Sequence, residues 1–397
     1  MKLLLNIESL IPPLTGIGNY TLNLIEQLQD EDIEHIECFI GARSWPANQA
    51  LTNCAQASLQ YAQALNNPGA ARESLKTQLR NTLRNWTLAY KAREMLRDLQ
   101  LKLRARHRRD YVYHEPNFML KAHSGPCVST IHDLSFLHYP QFHPKKRVDW
   151  LSAQLPKTLK RADYLITDSN IIRDELIGDF GVSPDRVRTV YLGASQDYRV
   201  QTREQTRPTL QRYKLQHGRY VLFVGTLEPR KGVDTLLDAW SSLPQTLREE
   251  FPLVLAGAPG WQNQQLAERI KALEATSGLR QLSFVPGVDL PALYAGAATF
   301  AYPSLYEGFG LPVLEAMQCA VPVICTDDTS MSEFAQDSAR LMERSNAEHL
   351  RSHLLELLSD PALRQQLAQS GLQRAADFSW KRCAQETLEI YRQVSPA

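Results

Sequence analysis

Short, wholly apolar runs alternate with helical patterns twice along this chain, and that alternation constrains the fold more than any other feature. In the first half the runs are Leu3–Ile7, Ile36–Ile40, Val128–Ile131, Tyr164–Thr167 and Thr189–Leu192. In the second half they are Tyr220–Val224, Leu253–Ala256, Leu282–Val285, Thr299–Tyr302 and Val321–Cys325. A strand that is apolar at every position has both faces covered, the condition of a parallel sheet with helices on each side. Between the halves lies 196–217, polar and rich in Arg, Gln and Thr, with Pro208 inside it. The sequence therefore predicts an α/β protein of two doubly wound, Rossmann-like domains, 1–195 and 218–376, with 196–217 as linker and a cleft between them. A length of 397 residues agrees with two or three domains. In such sheets ligands sit beyond the carboxyl ends of the strands.

Composition excludes several function classes. A net charge of +1 leaves no global electrostatic case for nucleic-acid binding. The six cysteines contain no CxxC pair, against zinc-ribbon and thioredoxin-like chemistry. They read as buried free thiols, which suits a reducing cytoplasm. The opening Met1–Glu8 is too short an apolar run for a signal peptide and is interrupted by Asn6 and Glu8, so it reads as the first strand. No stretch reaches the ~18 apolar residues of a membrane span. One segment stands apart. Residues 72–109 hold twelve Lys and Arg against three acids, a local charge of +9, so the rest of the chain sums to −8. Leu75, Leu79, Leu83, Trp86 and Tyr90 recur there at helical spacing. Such a basic amphipathic helix suits peripheral contact with an anionic membrane, or packs its stripe on its own sheet.

Two loops carry the chemistry. The first is Phe223–Gly232, where Gly225 and Thr226 follow a strand and Arg230 and Lys231 precede a helix at Val233. Two cations beside a helix N-terminus form a site for a dianion such as a diphosphate. The second is Tyr306–Glu315, where Glu307 and Glu315 flank Gly308, Phe309 and Gly310 and a helix opens at Leu311-Pro312. The glycines allow backbone N–H groups to approach a ligand, and carboxylates accept hydrogen bonds from paired sugar hydroxyls. His132 follows the run Val128–Ile131, at the ligand end of its sheet. Its neighbours His138 and His143 are separated from it by apolar and proline residues, so no metal site is expected there.

These motifs, EGFGLPVLEAM with a following Pro-Val strand and VGTLEPRKG, resemble the E-x7-E signature and the phosphate-binding Arg-Lys loop of the retaining glycosyltransferases of family four (group 1), which adopt the GT-B fold. TGIGNYTLNL at Thr15–Leu24 and TIHDLSFLHYP at Thr130–Pro140 are family-like too, and 377–397 resembles the terminal helix that crosses back to the first domain. The resemblance implies that Glu315 holds the donor ribose and Glu307 the donor hexose. It places Arg230, Lys231 and the backbone of Phe309, Gly310 and Leu311 at the diphosphate, and His132 across the cleft by the transferred sugar. Gly16 and Gly18 would form an N-terminal loop near the diphosphate or acceptor. The implied reaction moves a hexose, mannose or a related deoxyhexose such as rhamnose, from a nucleoside-diphosphate sugar to a saccharide acceptor. It needs no metal or other cofactor. The loop wording favours GDP, with UDP the alternative. The expected acceptor is a lipid-linked saccharide in O-antigen, lipopolysaccharide or other surface-polysaccharide assembly, on the cytoplasmic side. Two positions depart from the family: Ala320 replaces the usual Gly before the Pro-Val strand, and Glu333-Phe334-Ala335-Gln336 replaces Glu-Val-x-Gly.

Rival readings are weaker. A dinucleotide fingerprint would need Gly or Ala where Thr21 stands after Gly16 and Gly18. No GxxxxGK[ST] occurs, and Asp30-Glu31-Asp32 matches a D-x-D motif in letters only. A nucleotide-sugar epimerase on the same architecture, or a non-catalytic sugar-nucleotide-binding subunit, stays as the alternative.

Overall fold

The computed structural model describes residues 1–12, 14–41, 43–66, 108–258, 260, 264–276, 278–282 and 285–396. The basic segment 72–109 lies outside the described residues up to 107.

Thirteen strands form two sheets among the described residues. The first runs β3-β2-β1-β4-β5-β6-β7, from β1 (Lys2–Asn6), β2 (His35–Ile40), β3 (Arg43–Pro46), β4 (Tyr111–Glu115), β5 (Cys127–Ile131), β6 (Tyr164–Thr167) and β7 (Val187–Thr189). The second runs β10-β9-β8-β11-β12-β13, from β8 (Val221–Val224), β9 (Leu253–Ala256), β10 (Arg280–Leu282), β11 (Thr299–Tyr302), β12 (Val323–Thr326) and β13 (Arg340–Met342). Every pairing is parallel except β2 with β3. Both sheets thus share the order 3-2-1-4-5-6 of doubly wound folds, whose crevice opens where the order reverses. The GT-B class expected from the sequence is the observed one.

The central strands are buried on both faces: Leu3, Leu5, Val221, Leu222, Phe223, Phe300, Ala301, Val323 and Ile324 have no exposure. That burial explains their uninterrupted apolar runs.

Strand bounds differ from the expected ones where burial is incomplete. The run Thr189–Leu192 begins as β7 two residues earlier, and Leu282 ends β10 rather than starting a strand. Three strands escaped the apolar pattern: β3 and β13, short edges, and β4, whose His114 and Glu115 are buried polar groups.

The segment 196–217 contains the helix Arg203–Arg212, which packs on the helix Leu290–Ala295 of the second sheet. The last helix, Trp380–Val394, packs on the helix Gly16–Leu28 of the first domain. There Tyr391 meets His114 Nδ1 at 2.6 Å, and His114 Nε2 meets Thr130 at 2.9 Å. Among the described residues no helix is long and apolar enough to cross a membrane.

Candidate active site between the two sheets

The loops after β8 and β11 meet. Gly225 closes β8 at φ +156°, Thr226 is exposed, and Pro229–Lys231 form one 3-10 turn before the helix Val233–Ser241. Lys231 Nζ donates to Glu307 Oε1 at 2.6 Å and to Tyr302 at 3.0 Å. Ser304 and Tyr302 donate to the same oxygen at 2.6 and 3.1 Å. Arg230 lies 3.6 Å from Glu307 Oε2 and 3.3 Å from Glu228, and donates to the Tyr306 carbonyl. The expected diphosphate cations and the expected hexose carboxylate therefore form one internal ion cluster. Burial alone would raise Glu307, but Lys231 and Arg230 override it and hold the carboxyl down at about 2.

Glu315 lies one helical turn beyond, in Leu311–Gln318. Among the described residues no cation answers it. Burial raises its carboxyl to about 7, only partly offset by the hydroxyls of Tyr294 and Tyr198. Gly310 caps this helix at φ +103°, a conformation that glycine adopts without strain. Phe309 is buried and stacks on Phe334 with centroids 4.6 Å apart, with Tyr191 of the first domain 6.2 Å away.

His132 does not present its ring to the cleft. Nδ1 lies 2.7 Å from Asp168 Oδ2 and Nε2 lies 2.7 Å from the Pro116 carbonyl. Since that carbonyl only accepts, Nε2 carries a proton. Burial would lower the ring's affinity for a second proton, but Asp168 and Pro116 outweigh it and raise its pKa. What His132 offers the opposite domain is its backbone. A Cβ on Gly308 would stand 1.8 Å from the His132 carbonyl oxygen. Gly308 thus serves the approach of one domain to the other. At Gly18 a Cβ would stand 2.7 Å from the Ser9 carbonyl, whereas Gly16 opens the helix Gly16–Leu28 in open space.

Further contacts cross the cleft, through Tyr306 and through Glu175 and Glu333, whose roles sequence reasoning missed. Tyr306 accepts from the Leu134 N–H at 3.1 Å and donates to Glu175. Glu333 accepts from the N–H groups of Asn170 at 2.8 Å and Ile171 at 3.2 Å, and from Tyr191. A carboxylate from the second domain thereby caps a first-domain helix, Asn170–Phe180. The only sequence signal for Glu333 was its place in a family turn. His138 pairs with Glu175 and His143 with Ser135. Among the described residues no three His, Cys, Asp or Glu side chains converge as a metal site requires. The two departures from family glycine are left-handed: Ala320 has φ +55° and Gln336 φ +46°.

The fold agrees with comparisons to known proteins. Residues 14–198 match the family Glycosyltransferase Family 4, and 209–374 match Glycosyl transferases group 1. The chain is 35% identical over 393 residues to O-antigen chain mannosyltransferase B of Escherichia coli, covering 99% of this chain and 100% of that one. The chain belongs to glycosyltransferase family 4. A second relative of this glycosyltransferase, serotype-specific mannosyltransferase WbdA of Escherichia coli, is 31% identical over 242 residues, 59% of this chain and 29% of that one. Two solved structures share its GT-B fold. Anabaena Alr3699/HepE, in complex with UDP and glucose, superposes at a TM-score of 0.70 with 17% identity, covering 99% of this chain and 100% of that one. WaaG, a glycosyltransferase involved in lipopolysaccharide biosynthesis, superposes at 0.66 with 16% identity, covering 98% and 99%.

Proposed function

We propose that this glycosyltransferase moves a mannosyl unit from GDP-mannose to a hydroxyl of a saccharide acceptor, with retention, in assembly of an O-antigen-type surface polysaccharide. The observation that carries the reading is the Arg230–Glu307–Lys231 cluster at the cleft. Mannose and the O-antigen setting come from the full-length likeness to the Escherichia coli mannosyltransferase, and GDP from the wording of the Arg-Lys loop. A lipid-linked acceptor at the inner face of the membrane fits the basic composition of 72–109.

Charge grows on the departing diphosphate as the glycosidic bond breaks. Arg230 and Lys231, the cations paired with Glu307, stabilise that charge more in the transition state than in the ground state. To do so they exchange part of their pairing with Glu307 for phosphate oxygens. Their charge serves where a metal would otherwise stand, so turnover on this reading survives EDTA. Glu307 accepts from Lys231, Tyr302 and Ser304 on one oxygen, and a carboxylate held near 2 is a weak base and nucleophile. It orients the hexose, while the leaving phosphate takes the acceptor's proton. Glu315 receives the ribose hydroxyls.

The deciding experiment incubates the full chain with GDP-, UDP-, ADP- and dTDP-sugars and a mannoside acceptor, and reads the new anomeric centre by NMR. An α-mannosyl product formed from GDP-mannose supports the reading. Preferential use of a UDP-sugar, or a β product, overturns the donor or the stereochemical assignment.

A further inference from the structure

A cavity of about 310 Å³ lies between the domains and shares Tyr306 and Glu307 with the site above. Its size stands at the lower end of small-molecule sites, about 300–1,000 Å³, fit for a sugar ring rather than a nucleotide. Tyr139 and Tyr306 form an aromatic corner in its wall, with ring centroids 5.8 Å apart and planes at 51°. Tyr139 is fixed from behind by stacking on Phe142 at 5.9 Å.

Apart from Ile171, polar groups line the rest. Glu175 takes both Tyr306 and His138 on Oε2, and its Oε1 has no hydrogen-bond partner among the described residues. Arg344 donates to the Asp328 carbonyl, which leaves further guanidinium N–H groups for a ligand. Asp328 is held at φ +52°, and its exposed carboxylate borders the same space. The carboxylates of Glu175 and Asp328 line the cavity with one cation, Arg344, a negative excess that repels a second phosphate and suits neutral hydroxyls.

We propose that this cavity is the acceptor subsite, seating a neutral hexose ring of the acceptor saccharide against Tyr139 and Tyr306. Glu175 and Asp328 receive its hydroxyls, and Arg344 donates to its oxygens. Because Glu307 belongs to both spaces, a ring held here abuts the transferred sugar. The assignment rests on the function proposed above and adds to it where the acceptor lies and that its recognised unit is uncharged.

The test uses the full chain, GDP-mannose and octyl α-mannoside, with GDP release also recorded without acceptor. Tyr139→Ala and Arg344→Ala each raise KM for the mannoside about tenfold, while KM for GDP-mannose stays within about twofold. Tyr139→Phe keeps the ring and restores most of the loss. Saturation-transfer NMR from protein to mannoside, present in the wild type, falls to background in the double variant, whose melting temperature is unchanged. A mannoside KM unmoved in both variants, or a rise confined to the GDP-mannose KM, overturns the acceptor subsite. A wild type that never releases GDP overturns the function instead, and the saturation-transfer comparison still decides the cavity.

Discussion

Glu307 and Glu315 stand eight residues apart on one loop and the helix it feeds, yet the protein holds them in opposite electrostatic states. Burial raises the pKa of both. At Glu307, Lys231 and Arg230 reverse that and hold the carboxyl near 2; at Glu315 only tyrosine hydroxyls answer, and it settles near 7. The pattern E-x7-E conceals this difference, because the cations that make it come from a loop some 76 residues away in sequence. One glutamate is a permanent anion locked into a cluster with Arg230 and Lys231. The other is poised to change charge near neutrality.

The largest expected effect breaks the cluster. Arg230→Ala or Lys231→Ala should lower kcat by about 10²–10³-fold with circular dichroism unchanged; near wild-type turnover would remove both cations from the leaving-group site. Next comes Glu307→Gln. Removing one partner of a buried ion pair costs about 3–5 kcal/mol, so the free protein should melt markedly lower. GDP should then raise the melting temperature more than in the wild type, since its phosphates replace the missing anion. Equal GDP shifts in the two proteins would mean that Glu307 and phosphate do not compete.

The pH responses should differ in sign. Glu307 has its folded pKa depressed, so its contribution to stability is present above the ordinary 4.5 and is lost as pH falls toward about 2. Glu315 has its folded pKa raised, so its contribution is full below 4.5 and is lost as pH rises through about 7. The ionised form of Glu315 is the better acceptor for ribose hydroxyls. GDP affinity should therefore rise about three- to tenfold from about pH 6 to 8, and Glu315→Gln should flatten that slope in calorimetric titration. A slope that survives in the variant assigns it to another group. The smallest effect lies at the end of the Glu315 helix. Ala320 sits at φ +55°, where a side chain costs about 1 kcal/mol, so Ala320→Gly should stabilise by about that amount with GDP affinity unaltered.

Much of this was legible in the residues. The apolar runs announced the central strands because those strands are covered on both faces. The edges β3 and β13 lacked that signal, and β4 lost it to His114 and Glu115, which are buried through hydrogen bonds rather than hydrophobicity. The two loops that meet in the Arg230–Glu307–Lys231 cluster were readable from Gly, Arg, Lys and Glu spacing. The partners of the His132 ring were not legible, since Asp168 lies 36 residues on and in no shared motif. Glu175 carried no sequence signal and Glu333 only its place in a family turn, since their meaning depends on how the domains close, which no local pattern encodes.

That closure has a kinetic consequence. Where Gly308 meets the His132 carbonyl there is no space for even a methyl group, while Glu333 and Tyr306 tie the same halves together. On the proposed reading, with the donor held between the halves, its entry and the departure of nucleotide require the halves to part in every cycle. Turnover is then bounded by how fast a handful of hydrogen bonds let go, and a slower hinge would lengthen the residence of spent nucleotide without touching the bond-breaking step.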